Sequence, residues 1–433
     1  MDYGFSDLAK ASLKPSAVNL LTAEFAEDFR EGTDINLGVG YVNDKTIPFD
    51  AIRKAYKEII VHPEKYRNAL NYGGAEGSVN LRQAIKDFYL RYHIGRLEEK
   101  DLMGRKILVG ANGATSILDC LSEIIMPGLV ITADPYYYIF TETLERKGFS
   151  LLAIPEDDDG LNVNILKEEV KKIDPDQISF FYIVTVNNPT TVILSNARRK
   201  AIVELAKELS LKANRIIPVV FDKAYEEIIH NPQVEKPVSG IKYDELNQVF
   251  ELGTFSKLFA PALRIGYIIS PDNHFAEVLT QRTSDIGFSS SLINQEIAGW
   301  LLDHYIDIQQ QQVNQGYRKK AAFIKNLFSV HLSDYIDSYT GGDAAFYFFI
   351  TLKNIRTDKG SAFFNFLSRT TGLAEIDGKH EKHPRLIYIP GTICSKNSKA
   401  IYQLRISYGF EEPEVFERAA KLMADACRFA TTR

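Results

Sequence analysis

The first feature with chemistry in it is a lysine among apolar neighbours. Lys257 lies in GTFSKLFAPALRIGY, a loop containing Pro261 between two apolar runs, and is flanked by Phe255, Leu258 and Phe259. Desolvation lowers a lysine's proton affinity and frees its amine to form a Schiff base with an aldehyde. For any single lysine, a solvated loop position is the ordinary alternative. Asp222 closes the apolar run IIPVVF. An aspartate there often caps the next helix. At the end of a deeply buried run, however, a carboxylate needs a cationic partner, and a protonated pyridine nitrogen is one. Tyr225 can face the same ring or pack as a core tyrosine.

Three further segments suit the rest of such a ligand. NGATS (112–116) opens a helix, and helix N-terminal N–H groups hold a phosphate dianion. Arg264 can add a fixed positive charge. Tyr137, in DPYYY, can lie flat against an aromatic ring. Asn188, ahead of Pro189, follows another apolar run. Plain turn chemistry accounts for Asn188 and for NGATS equally well when each is taken alone. Together the parts describe a phosphorylated pyridine aldehyde, pyridoxal 5′-phosphate (PLP), which requires a Schiff-base lysine and an acidic partner for its ring nitrogen.

These residues follow a regular alternation. From about Lys106, the apolar runs KILVG (106–110), LVITAD (129–134), ISFFYIVTV (178–186), RIIPVVFD (215–222), QVFELG (248–253) and RIGYIIS (264–270) alternate with amphipathic stretches such as 114–126 and 196–213. This predicts an α/β domain with a mainly parallel sheet and helices on both faces. In open sheets of this kind, ligands bind beyond the carboxyl ends of the strands. NGAT, DPYYY, NNPTT, DKAY and GTFSK each follow such a run or open the next helix, so five segments converge on one pocket. Upstream, 35–48 reads as a glycine-punctuated loop, and 49–60 as a helix with Ile52, Ala55, Tyr56 and Ile59 on one face. After about Asn294 the pattern changes to helices at 294–312 and 316–330, strands at 344–352 and 403–407, and a last helix at 413–430. The expected division is an N-terminal arm (1–48) packing with the small domain, a large domain (49–300) and a smaller α+β domain (301–433).

The 433 residues are 45% hydrophobic and 25% charged, which excludes disordered, collagen-like and disulfide-scaffold classes. The net charge of −5 provides no basic face for nucleic acid. Cys120, Cys394 and Cys427 are sparse and lack a CxxC spacing, which fits buried thiols in a reducing cytoplasm and argues against a cysteine-rich metal site. The N-terminus MDYGFSDLAK lacks the pattern of a signal peptide, and no apolar run approaches the roughly 20 residues of a membrane span. A soluble, cytoplasmic protein is expected.

From INLGVG to QLRISYGF the chain resembles the fold type I PLP-dependent enzymes, most closely the class I/II aminotransferases. The family's Ser-x-Ser-Lys…Pro…Arg-x-Gly block stands here as TFSKLFAPALRIG, Asn-Pro-Thr-Gly as NNPTT, Asp-x-x-Tyr as DKAY, and Tyr-x(4)-Gly-x(3)-Leu-Arg as YGGAEGSVNLR. The resemblance implies transfer of an amino group between an L-amino acid and a 2-oxo acid. It implies that Lys257 carries the cofactor and moves the substrate proton, that Asp222 pairs with the pyridine nitrogen, and that Asn188 and Tyr225 donate to the ring's phenolic oxygen. Tyr137 is implied to stack on the ring. Gly113, Ala114, Thr115, Thr254, Ser256 and Arg264 are implied to form the phosphate cup. Tyr72 is implied to reach the phosphate of a neighbouring subunit, hence a homodimer with shared sites. Arg405 is implied to hold the substrate α-carboxylate, with Gly40 bordering the substrate.

The departures are Thr191 in place of Gly, which suggests an altered turn, Thr254 in place of the commoner Ser, and DPYYY without Pro-Gly. The same constellation serves lyases resembling aminocyclopropane-carboxylate synthase, and oxidases of secondary metabolism. A non-catalytic PLP-sensing module fused to a helix-turn-helix is a further class, but the stretch ahead of INLGVG is too short for a DNA-binding domain. A degenerate scaffold is disfavoured because the full constellation is kept.

Overall fold

Eight strands make the largest sheet: β1 (Arg105–Val109), β2 (Leu129–Asp134), β3 (Ser150–Asp157), β4 (Gly160–Leu161), β5 (Ile178–Val184), β6 (Val219–Asp222), β7 (Val249–Thr254) and β8 (Gly266–Pro271). The order across the sheet is β1-β8-β7-β6-β5-β2-β3-β4. The central pairs β3–β2, β2–β5, β5–β6 and β6–β7 are parallel, whereas β8 joins β7 and β1 antiparallel. The computed structural model describes residues 4–26, 29–378 and 383–432; parts of the expected N-terminal arm and small domain lie outside these residues.

Every residue of β5 and β6 is buried, which is why ISFFYIVTV shows no polar alternation. Phe181 and Ile183 join one apolar cluster with the helix Asn196–Lys212, through Ile202 and Val203. Phe180 and Tyr182 join a second cluster with the helix Gly113–Ile124, through Ile117 and Leu121. The sheet is thus covered on both faces, as expected.

A separate antiparallel sheet has the order β9-β10-β12-β11, from β9 (Ile336–Gly341), β10 (Tyr347–Leu352), β11 (Ile389–Pro390) and β12 (Gln403–Ser407). Its register sets Arg405 opposite Phe349 and Ile389. Ile35–Asn36 pairs in parallel with Leu386–Ile387, so the expected loop at 35–48 begins as a strand. This pairing brings Gly38 and Gly40 to the edge of the second sheet.

Two other sequence expectations are corrected. The helical break falls at Tyr305 (φ −137°) and not near Gln312, because Leu292–His304 is followed by one continuous helix, Ile306–Leu327. Polar QQQQVNQG reads as an interruption, yet Gly316 lies inside that helix, where an added Cβ would meet nothing. In the helix Phe49–Val61 the buried residues are Ala51, Ala55 and Ile59, and Tyr56 is exposed. Among the described residues no helix is long and apolar enough to cross a membrane.

Candidate active site

The parallel strands β2, β5, β6 and β7 deliver Tyr137, Asn188, Asp222 and Lys257 to one sheet edge, and β12 supplies Arg405 from the second sheet. The Lys257 amine donates to the Gly40 carbonyl at 2.9 Å. It lies 5.7 Å from the ring centre of Phe346 and 6.0 Å from that of Tyr225. Burial, followed by the like charges of Arg405 and Arg264, pushes its pKa down to about 8. On that value about a tenth of the amine is unprotonated at pH 7.

Asp222 is 5% exposed at the end of β6. Its Oδ2 accepts from the Tyr182 hydroxyl at 2.7 Å, and its Oδ1 from the Ala224 N–H at 3.1 Å. Burial nevertheless raises it to about 6. The neighbouring Lys223 is committed to Glu251 (2.9 Å) and Glu226 (3.4 Å), so among the described residues no cation pairs with Asp222. A buried carboxylate of this kind is set for a cationic ligand atom.

A polar chain runs from there to the second sheet. Asn188 Nδ2 donates to the Tyr225 hydroxyl at 3.5 Å, and Tyr225 and Tyr347 share a hydroxyl–hydroxyl contact of 3.0 Å. Arg405 Nη1 donates to Asn188 Oδ1 at 2.9 Å, and Nη2 donates to the Gly38 carbonyl. Its Nε has no partner. The guanidinium lies 4.4 Å from the Tyr347 ring centre and 5.8 Å from that of Tyr138. A buried arginine with no carboxylate partner and a spare donor suits an incoming carboxylate. At Gly40 a Cβ would come 2.6 Å from the Tyr347 hydroxyl, so any side chain there would have to displace the Tyr347 ring.

The opposite end carries the anion-binding features. The helix Gly113–Ile124 has no side-chain cap, and Gly113 opens it at φ +70°. The Asn112 amide oxygen instead accepts from Arg264 Nε at 2.9 Å, while Arg264 Nη2 donates to the Asn112 carbonyl at 3.1 Å. A Cβ on Gly266 would strike the Ala114 N–H, so β8 meets this helix backbone to backbone. Thr254 Oγ1 donates to the Ile265 carbonyl at 2.7 Å and accepts from the Ser256 N–H at 3.2 Å. Thr115 is exposed on the first turn. The free N–H groups of that turn, with Arg264 beside them, fit a phosphate. With Asp222 and Lys257, the donor set fits a phosphorylated pyridine aldehyde.

Tyr137 is half-buried, and its hydroxyl pKa is raised by burial first and then by Tyr138 and Asp222. Tyr72 is 83% exposed, 5.8 Å from the Phe288 ring, and within its own chain it does not meet the other candidates. Thr191 adopts φ +56°, where glycine carries no penalty, and its N–H closes the turn onto the Asn187 carbonyl at 2.6 Å. The threonine costs about 1–2 kcal/mol in that conformation.

Sequence reasoning missed Tyr182, Tyr347, Tyr138 and Gly38. A signal was present for the first two: each is the one tyrosine of a largely apolar strand, and a buried phenol hydroxyl needs a partner.

The chain belongs to the aminotransferase class I and II family, whose model matches residues 33–379. It is therefore a class I/II aminotransferase, in a family that depends on PLP. The sequence is 27% identical over 301 residues to aromatic-amino-acid aminotransferase 1 of Thermococcus litoralis, covering 68% of each chain. It is 23% identical over 406 residues to the HTH-type transcriptional regulator YisV of Bacillus subtilis, covering 91% of this chain and 74% of that one. The fold is similar to the multiple substrate aminotransferase of Thermococcus profundus, with TM-score 0.84, 22% identity, and coverage of 99% of this chain and 98% of that one.

Proposed function

We propose that Lys257, Asp222 and Arg405 are the working residues of an amino-group transfer between an L-amino acid and a 2-oxo acid. The observation that carries this is their convergence: a buried amine of depressed pKa, a buried carboxylate without a cation and a buried guanidinium without a carboxylate. Bound PLP supplies an electron sink for the pair left at the substrate Cα. Arg405 would grip the α-carboxylate, and Asn188, which accepts from Arg405 Nη1 at 2.9 Å, holds that guanidinium in place. Lys257 would take the proton from the substrate Cα and return it at C4′, the former aldehyde carbon of the cofactor. Asp222 would keep a proton on the ring nitrogen, and Asn188 and Tyr225 would donate to the ring's phenolic oxygen, with the Tyr347 hydroxyl 3.0 Å from that of Tyr225. Gly113, Ala114, Thr115, Thr254, Ser256 and Arg264 hold the phosphate, Tyr137 stacks on the ring, and Gly40 borders the substrate.

Replacing Arg405 with Ala is expected to raise KM for both amino and oxo acids by about 10²-fold, as for a lost buried charge-assisted pair, while sparing cofactor binding. Steady-state kinetics check this, and an unchanged KM removes Arg405 from the site.

Among the described residues, Lys257, Arg264 and Arg405 are the cations assigned to this site, and all three are engaged in this scheme. With Tyr138 and Tyr347 flanking Arg405, and the aromatic-amino-acid relative, this supports an uncharged aromatic or apolar side chain. A single-turnover panel of amino acids tests the whole reading: release of the 2-oxo acid supports transfer, and elimination or oxidation products sink it. The similarity to YisV favours a second reading as a PLP-binding regulatory module, for which the same panel would give no turnover.

We further read the exposed Val61, Leu70, Tyr72 and Phe288 as covered in a homodimer in which Tyr72 reaches the partner's phosphate. Sedimentation is expected to show a dimer, and Tyr72→Phe to weaken cofactor binding about tenfold. A fully active monomer contradicts this. The three free, buried thiols fit a reducing cytoplasm.

A further inference from the structure

A half-buried carboxyl group with one oxygen closed to solvent lies against Asn187 and takes no part in the scheme above. Glu156 is on β3, with an oxygen, Oε1, that is closed to solvent and has no hydrogen-bond partner. Its Oε2 accepts from Asn187 Nδ2 at 2.8 Å, and the same Nδ2 donates to the Pro135 carbonyl at 2.9 Å. Asn187 immediately precedes Asn188, and Pro135 leads into Tyr136 and Tyr137. One amide group therefore ties the loop that carries Asn188 to the turn that carries Tyr137, and Glu156 holds that amide in place.

We propose that Glu156 is a positioning residue that acts through Asn187 to fix the separation of Tyr137 and Asn188, and does so as a neutral acid. This rests on the reading that those two residues border the cofactor ring.

The surroundings explain the neutral form. Asp134, at the end of β2, and Asp157, next to Glu156 on β3, are the ionisable groups that act on Glu156; Thr190 and Asn187, its polar neighbours, favour the charged form. Asp134 also has an unpartnered, closed oxygen and is itself raised by burial. Among the described residues no arginine or lysine pairs with either Glu156 or Asp134: Arg198 goes to Asp157 at 2.8 Å instead. Burial first, and the two aspartates after it, lift Glu156 to about 8 from 4.5. The sign follows from which state releases its proton first. The unfolded chain ionises Glu156 near 4.5 and the folded one near 8, so folding loses stability across that interval as pH rises and loses no more above it. A glutamine has the shape of the neutral acid and no proton to release.

The test uses the holoenzyme and three variants. Glu156→Gln is expected to match the wild type in kcat and KM at pH 7. In urea unfolding its stability should gain on the wild type steadily from pH 5 to pH 8, with a constant gap beyond. Above pH 8 the wild-type KM should climb more steeply than that of the glutamine variant. Glu156→Ala is expected to raise KM and the cofactor dissociation constant by about fivefold or more, because Asn187 loses its anchor. A Glu156→Gln variant as impaired as Glu156→Ala, or a stability gap independent of pH, overturns the proposal. Asn188→Ala separates the two levels. If it is impaired and Glu156→Ala is not, this inference alone fails; if Asn188→Ala is also silent, the reading of the site fails.

Discussion

Lys257→Ala is expected to lose about 10⁴-fold or more in turnover while folding normally and still taking up PLP without a covalent bond. The magnitude follows from two functions residing on one atom. A positioned general base is worth roughly 10²–10⁴, and the same amine is the nucleophile that carries the cofactor. Folding should survive, because Nζ makes one hydrogen bond, to the Gly40 carbonyl, and replacing the lysine removes a charge that burial disfavours. Retention of PLP follows from the separateness of the anion-binding end: Arg264 is anchored on Asn112 and Thr254 on Ile265, with no contribution from Lys257. Absorbance and equilibrium dialysis report uptake, and single-turnover kinetics report the loss. Full activity in this variant would exclude the assigned role.

Asp222→Asn is the second large effect. Asparagine keeps the shape and can still accept from the Tyr182 hydroxyl, but it carries no charge to pair with a protonated ring nitrogen. Removing one partner of a buried pair costs about 3–5 kcal/mol, or about 10²–10⁴ in kcat. The apoprotein should move the other way. Asp222 without its cation is raised to about 6 from 3.8, so the unfolded chain releases that proton first. Wild-type apoprotein therefore loses stability as pH rises from about 4 to 6, and the asparagine variant is spared this loss. Thermal unfolding of both apoproteins across that interval is expected to show the variant gaining and then holding a constant advantage. A variant that is less stable at pH 7 and equally active contradicts both halves.

The large sheet was legible because its strands are buried on both sides. LVITAD became β2 residue for residue, and QLRIS became β12. Several candidate residues were legible for a related reason: they lie in the polar segments that close or follow such runs, Asp222 directly after Phe221 and Lys257 between Phe255 and Leu258. What was not legible was contact between distant segments. Gly38 meets Arg405, and Tyr347 meets Tyr225, through pairing of Ile35–Asn36 with Leu386–Ile387 and of β10 with β12, which no local periodicity encodes. The helix register failed at QQQQVNQG for the opposite reason. That stretch is polar and contains a glycine, but Gln309 is buried and donates to the Thr46 and Leu258 carbonyls. Tertiary partners there replaced the apolar stripe that a helix would otherwise show. Glu156 was missed because an acidic run, EDDDG, reads as a solvated turn, and the structure turns one member of it inward.

Peptide mass spectrometry of the PLP-loaded protein after borohydride reduction addresses the central claim most directly. The account predicts a single pyridoxyl adduct, on the peptide containing GTFSKLFAPALR and located at Lys257. An adduct on another lysine, or a reduced protein with none, would contradict it.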